Sequence, residues 1–462
     1  MKKIIALLFF LSVFFLSFRP ARDPDFGWHY RCGKEIFTKH TFCLKNKFSY
    51  HLTNYSSASP SFLYDGLLAF TYDRFGFLGV SAVGAFIIAL CGLAFIRITR
   101  GALLLRLLTF YLIYFGSDVV FGLGLRSQLL TYFFFLINIL ILQSSRRKPR
   151  LVWFFPPLFL AWVNTHIGFF IGPIVFLVFI LEQLFNKKPV RLYMFVFVIG
   201  ILATFLNPFG LRVYKEIANH LFSPLGSMIA EWVPPPFILQ AVMGGIWLGS
   251  LFLFVKTKRL SIFYGVLSFF FLILAFNARR NIPFFLTTIA FYLLVLLENR
   301  QFLFQLVEDI TLPLLMTILI MAVVIRVPPT VVYSRSWQAY CSTLGNNFPC
   351  RALARNPQLA GNVFATYEWG GFLIWQKPDI KVFVDGRMPA WKETNGQSPY
   401  ATYLAIIQTQ PGWNEILLQS KTDYLLILPG TFLDILLKQE GKKYAWKKID
   451  EDETSVIYQH RY

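Results

Sequence analysis

The chain has 462 residues, of which 56% are hydrophobic, 18% aromatic and only 15% charged. A soluble chain carries about 25% charged residues, so polar surface here is too scarce to cover the apolar side chains, and an ordinary soluble enzyme or a disordered protein is excluded. The formal charge of +20 reads as the loop bias of a membrane protein rather than as nucleic-acid affinity.

Apolar runs between charged or Pro/Gly breaks predict a polytopic α-helical membrane protein with about eleven transmembrane helices. They lie near 4–18, 78–96, 103–125, 128–142, 151–165, 167–185, 192–206, 237–255, 261–276, 282–297 and 310–327. Several fall short of the roughly 20 residues of a full crossing. Met1–Phe18 has the basic start and apolar core of a signal peptide. Leu16-Ser17-Phe18-Arg19-Pro20 is a poor cleavage site, so the segment reads as an uncleaved first span.

Basic residues give the orientation. Lys2 and Lys3 precede the first span, and Arg97 and Arg100 follow the second. Arg146, Arg147, Lys148 and Arg150 follow the fourth, Lys187, Lys188 and Arg191 the sixth, and Lys256, Lys258 and Arg259 the eighth. If these are cytoplasmic, the N-terminus is inside, and an odd number of spans places residues 328–462 outside. The expected division is a membrane domain over 1–327, first outer loop included, and an extracytoplasmic domain over 328–462. Cys32 and Cys43 fall in that loop, Cys341 and Cys350 in the tail, and Cys91 alone in the second span. Two close pairs on one side suit disulfides in an oxidising compartment.

The first outer loop, residues 19–77, opens Asp23-Pro24-Asp25-Phe26-Gly27-Trp28-His29. Pro24 stiffens the turn, so both carboxylates can face one site. Such a pair can hold a divalent cation such as Mg or Mn, or one member can act as a general base. The competing reading is that Asp23 or Asp25 caps the following helix. Phe62–Gly76, with Asp65, Asp73 and Arg74 among apolar residues, reads as an interfacial helix.

Polar residues recur in later turns on the same side. Asp118 sits in the outer end of the third span with Arg126 two helical turns on, close enough to pair. Asn164-Thr165-His166 lies between spans five and six, and Glu231-Trp232 precedes the eighth. Arg279, Arg280 and Asn281 fill the turn between spans nine and ten. These two arginines break the inside bias of positive charge: either the span count fails at this turn, or they neutralise an anionic ligand such as a lipid phosphate at the outer face.

In the tail, Asn362–Thr366, Lys381–Asp385 and Tyr424–Leu428 read as short buried strands. Helices are expected near 399–409, 413–420 and 431–439, and a hairpin over 444–449 and 455–459, which together make a small α/β domain. Asp385-Gly386-Arg387 ends a strand, where ligands bind in open α/β sheets; a turn with a surface ion pair is the other reading. No P-loop, H-E-x-x-H or G-x-S-x-G pattern competes.

These motifs together resemble the GT-C class of polytopic glycosyltransferases, which take sugar from a polyprenyl-phosphate carrier. The similarity is to a bacterial branch with D-P-D-x-W-W-H-x-x-x-G-x-x-I, N-x-H-G-G-F, R-N-I-P-F-F, and W-G-G-Y-L followed by D-G-R. Asp23, Pro24, Asp25, Trp28, His29, Gly33 and Ile36 match the first, with Gly27 for the first Trp. Asn164, His166, Gly168 and Phe169 match the second, with Ile167 for a Gly. Arg280–Phe285 matches the third, and Trp369-Gly370-Gly371-Phe372-Leu373 with Asp385-Gly386-Arg387 the fourth.

The resemblance implies a GT-C fold and transfer of a hexose or pentose from a lipid-linked donor. The acceptor, a glycan, lipid or protein, is unknown. Transfer would occur at the outer face of the bacterial cytoplasmic membrane, with no nucleic-acid partner. Asp23, Asp25 and His29 would be catalytic, with Asp23 and Asp25 also the ligands of any metal. Trp28, Asp118, Arg126, Asn164, His166, Glu231, Arg279, Arg280 and Asn281 would contact substrate. The rival readings are a flippase for lipid-linked saccharide and a non-catalytic scaffold. A flippase would favour inverted repeats and midplane polar sites, and neither stands out.

Overall fold

The computed structural model describes residues 2–222, 229–257, 261–298, 308–335, 341 and 348–461. Lys258 and Arg259 of the orientation pattern lie outside the described residues. The chain divides into two compact units. One takes 1–21, 74–211 and 224–331; the other takes 22–73, 212–223 and 332–462. The expected division at residue 327 kept the first outer loop with the membrane domain, whereas residues 22–73 cluster with the tail.

The first unit is helical, as its uninterrupted apolar runs require. Among the described residues six helices are long and apolar enough to cross a membrane, and five apolar helices are shorter, 10–17 residues. The Phe62–Ile98 helix fuses the expected interfacial helix and second span, with Gly76 at φ 59° breaking its regularity. The expected third span, 103–125, is shorter than foreseen. Its helix ends at Gly116, and Asp118–Phe121 forms a separate turn. The non-helical backbone at Ser117 separates the two, and Gly124 at φ 83° follows.

The abundance of Phe is used in ring-on-ring packing. Phe271 stacks on Phe284 at 5.4 Å, and Phe135 meets Phe284 edge-on at 5.1 Å. Such pairs add about 0.5–1.5 kcal/mol each beyond burial. Polar groups inside the unit pair across helices: Tyr132 Oη lies 2.6 Å from Thr287 Oγ1, and Asn138 Nδ2 donates to Gly172 O at 2.9 Å. Cys91 is buried and unbonded.

The second unit contains a five-stranded sheet of β1 (Gly361–Ala365), β2 (Ile380–Val382), β3 (Tyr424–Ile427), β4 (Trp446–Glu451) and β5 (Val456–His460). Its order is β2-β1-β3-β5-β4. β1 runs parallel to β2 and β3, whereas β5 is antiparallel to β3 and to β4. Phe364, Leu425, Leu426 and Ile427 are fully buried, as central strands covered on both faces must be. The helices fall where expected, at Pro399–Ile407, Trp413–Gln419 and Phe432–Glu440. Ser398 caps the first by accepting from Ala401 N, and Thr431 caps the last by accepting from Asp434 N.

The first outer loop is part of this α/β body. Tyr50 N donates to Val382 O at 3.2 Å and Val382 N to Phe48 O at 3.0 Å, so residues 48–50 extend the β2 edge. This pairing covers an exposed strand edge. The Phe26–Lys39 helix packs on the Gly370–Gln376 helix through glycines: a Cβ on Gly27 would overlap the Gly371 carbonyl, and one on Gly371 would overlap Pro24 O. Both expected disulfides are formed, Cys32–Cys43 and Cys341–Cys350.

Gly27→Ala is expected to overpack this contact and to cost about 1–3 kcal/mol. Gly27→Trp, the residue of the resembling motif, should cost more. Thermal melts of the detergent-solubilised protein check this, and an unchanged midpoint in both variants would refute the close approach.

Candidate active site

The residues singled out by sequence fall into two clusters, one within each unit. In the second unit the turn Asp23-Pro24-Asp25 leads into the Phe26–Lys39 helix. Asp25 occupies the N-cap position, yet its side chain makes no capping hydrogen bond. Asp25 Oδ1 instead accepts from Trp28 Nε1 at 3.1 Å, and Asp23 Oδ1 accepts from Asp25 N at 3.2 Å. A helix cap therefore does not account for the Asp25 carboxylate. Both aspartates are half-buried.

His29 is 4% exposed, with Nδ1 2.5 Å from Asp65 Oδ1, and its ring stacks on Trp28 at 3.5 Å. Ser61 Oγ donates to the other Asp65 oxygen at 3.3 Å. Buried and paired in this way, His29 is placed to hold the helix against the start of the Phe62–Ile98 helix. Asp65 was visible in the sequence, but nothing local marked it as the partner of a residue 36 positions away.

Asp385 is fully buried and accepts two hydrogen bonds from the Arg387 guanidinium, at 2.8 and 2.6 Å. The surface ion pair foreseen as one reading of Asp385-Gly386-Arg387 is thus an interior one, with side chains 0% and 8% exposed. Arg387 also donates to Asn46 Oδ1 at 2.9 Å. Its guanidinium lies over the rings of Trp28, Phe48 and Trp391 at 5.8, 5.1 and 5.3 Å. A Cβ on Gly386 would collide with the Asp25 carboxylate. The tail motifs therefore hold the acidic turn in place.

The second cluster lies in the membrane unit. Arg126 Nη1 donates to Glu231 Oε2 at 3.1 Å, and Arg280 Nη1 is 3.6 Å from Glu231 Oε1. Arg280 lies 4.3 Å over the Trp232 ring, and its backbone N–H donates to Glu231 O at 3.1 Å. Burial alone would push the Glu231 carboxyl up, but Arg126 and Arg280 outweigh it and hold it below the ordinary glutamate range. His166 Nδ1 accepts from Gly168 N at 3.1 Å and lies 2.8 Å from Thr131 Oγ1. The neutral ring therefore carries its proton on Nε2.

Arg279 Nε is buried and has no hydrogen-bond partner among the described residues. Asn164 Nδ2 donates to Leu160 O and Leu206 O, and Asn281 Nδ2 to Leu274 O, so both amides tie the turns to their helices. Asp118 does not pair with Arg126; Arg19 Nη1 takes it at 2.8 Å. No sequence spacing could have linked these two, which are 99 positions apart.

Among the described residues, no three His, Cys, Asp or Glu side chains gather as a metal-binding group. Mg is commonly held by one or two carboxylates, with waters and substrate phosphates completing its six oxygens, so Asp23 and Asp25 are the residues that would contribute to such a site.

Comparison with solved structures decides the architecture. The chain is similar to the archaeal oligosaccharyltransferase AglB from Archaeoglobus fulgidus, solved in complex with an inhibitory peptide and a dolichol-phosphate. The TM-score is 0.62 at 12% identity, over 96% of this chain and 71% of that chain. The fold is the GT-C fold. The Archaeoglobus fulgidus enzyme solved with Zn and sulfate matches with a TM-score of 0.57 at 12% identity, over 95% of this chain and 69% of that one. ArnT from Cupriavidus metallidurans, bound to undecaprenyl phosphate, matches with a TM-score of 0.50 at 12% identity, over 99% and 96%. No family model matches the sequence, and no curated protein matches it.

Removing Arg387 leaves Asp385 buried and unpaired, so Arg387→Ala should cost about 3–5 kcal/mol, read from chemical denaturation. Glu231→Gln should cost less, about 1–3 kcal/mol at pH 7, because the pair is partly exposed. The Glu231 pKa is depressed by folding, so its contribution is complete above the ordinary glutamate range and is lost as pH falls through the lower folded value. Melts between pH 7 and pH 3 should show a smaller acid-side loss in Glu231→Gln than in the parent chain.

Proposed function

We propose that the chain is a membrane glycosyltransferase that moves a hexose or pentose from a polyprenyl-phosphate carrier to an acceptor. We place the reaction at the outer face of a bacterial cytoplasmic membrane, with the N-terminus inside. The observation that carries this reading is the cluster of guanidinium groups that meets at Glu231, among the described residues, in the membrane unit of a GT-C fold. Arg126 and Arg280 share the carboxylate of Glu231, and Arg279 lies beside Arg280 in the same turn. Neighbours of the same fold were solved with dolichol-phosphate and with undecaprenyl phosphate. Both disulfides belong to the second unit, which supports an oxidising side for the tail.

In this reading the acceptor oxygen forms a new bond to the anomeric carbon, and the bond from that carbon to the phosphate oxygen breaks. The electron pair leaves with the polyprenyl phosphate, whose growing negative charge suits guanidinium donors. Asp25 takes the acceptor proton, with Asp23 bracing its turn through the Asp25 N–H. His29 and Asp65 act as positioning residues, fixing the helix that carries the acidic turn.

The test is release of undecaprenyl phosphate from undecaprenyl-phosphate hexose by the protein in native membranes. Asp25→Asn should stay folded and lose about 10²–10⁴-fold in rate. Full activity in both Asp25→Asn and Asp23→Asn would overturn the assignment.

A further inference from the structure

A cavity in the α/β unit lies among residues that none of the motifs above includes. Its volume is about 470 Å³, within the roughly 300–1,000 Å³ of small-molecule sites. The first outer loop supplies Tyr50 and His51, the segment after Asp385-Gly386-Arg387 supplies Glu393 and Gln397, and the Trp413–Gln419 helix supplies Ile416 and Gln419.

The cavity is polar and nearly neutral. His51 Nε2 lies 2.9 Å from Glu393 Oε1, and Thr402 Oγ1 donates to the same oxygen at 2.7 Å. Burial alone would push the Glu393 carboxyl up, but the hydrogen bonds from His51 and Thr402 hold it below the ordinary range. A fixed acceptor of this kind binds hydroxyl groups through strong charge-assisted hydrogen bonds. The Gln419 amide has no hydrogen-bond partner among the described residues. Among the described residues lining the cavity, Lys421 is the one lysine or arginine, too little charge for an anion site.

Amide groups both donate and accept, and so do the hydroxyls of a polyol. Ile416 and Ala405 add the small apolar surface that the C–H face of a sugar ring covers. We propose that this cavity binds a neutral saccharide of one or two rings. The proposal does not rest on the transferase reading, because it concerns different residues and is read by binding rather than by transfer.

Binding of maltose, lactose and N,N′-diacetylchitobiose to the full chain in detergent tests it, by titration calorimetry. At least one should bind with a Kd below about 10 mM. Ala405→Phe, which fills the cavity, should weaken that binding about tenfold or more, and Gln419→Ala by a smaller factor. Gln419→Ala keeps the test decisive if Ala405→Phe fails to fold, since an exposed helix position tolerates alanine. Absence of binding by all three sugars, or binding unchanged in both folded variants, would overturn the proposal.

Discussion

The α/β unit depends on one buried ion pair. Arg387 is largely removed from water, and Asp385, fully buried beside it, supplies the opposite charge that offsets its desolvation. The same guanidinium then reaches Asn46 and three aromatic rings, two of which, Trp28 and Phe48, belong to the first outer loop. A pair two residues apart in sequence thus ties together segments separated by more than three hundred. The glycine contacts follow from it: once the loop is drawn against the tail, only Gly27, Gly371 and Gly386 leave room for the backbones and for the Asp25 carboxylate.

The arginines of the two site clusters are matched differently. In the α/β unit Arg387 is matched by Asp385 and serves to hold the structure together. In the membrane unit Arg126 and Arg280 divide one carboxylate between them, and Arg279 Nε has no partner among the described residues. Buried guanidinium groups in an apolar protein are costly unless other groups complete their hydrogen bonding. That imbalance, rather than the total of +20, is the charge feature with a bearing on function.

Much of the architecture was legible because it rests on local pattern. Apolar runs marked the helices, and the tail strands stood out as short apolar segments between Gly- and Asn-bearing turns. Both disulfides join cysteines 11 and 9 residues apart, near enough for spacing to suggest them. Partnerships over long distances were not legible. Asp118 was expected near Arg126 by helical spacing, but the backbone leaves the helix at Ser117 and Arg19 takes the carboxylate. Residues 22–73 read as a loop of the membrane domain because the ladder to Val382 has no signature in the loop itself. The acidic, histidine and arginine residues were visible as a set, whereas their division into two clusters and the structural use of His29 required coordinates.

The bridge that residues 48–50 make to the β2 edge has a consequence for the making of the protein. The loop emerges from the ribosome early, and its partner strand emerges about three hundred residues later. At roughly 5–20 residues per second, the loop must wait on the order of fifteen seconds to a minute before its neighbour exists. Meanwhile its own unpaired backbone and apolar face are open to wrong partners. The Cys32–Cys43 bond closes a ring wholly within the early segment, so it can limit the loop's wandering before the tail arrives. The completed body is therefore a product of the end of synthesis, and a chain truncated ahead of β2 would carry its acidic turn without the surface that holds it.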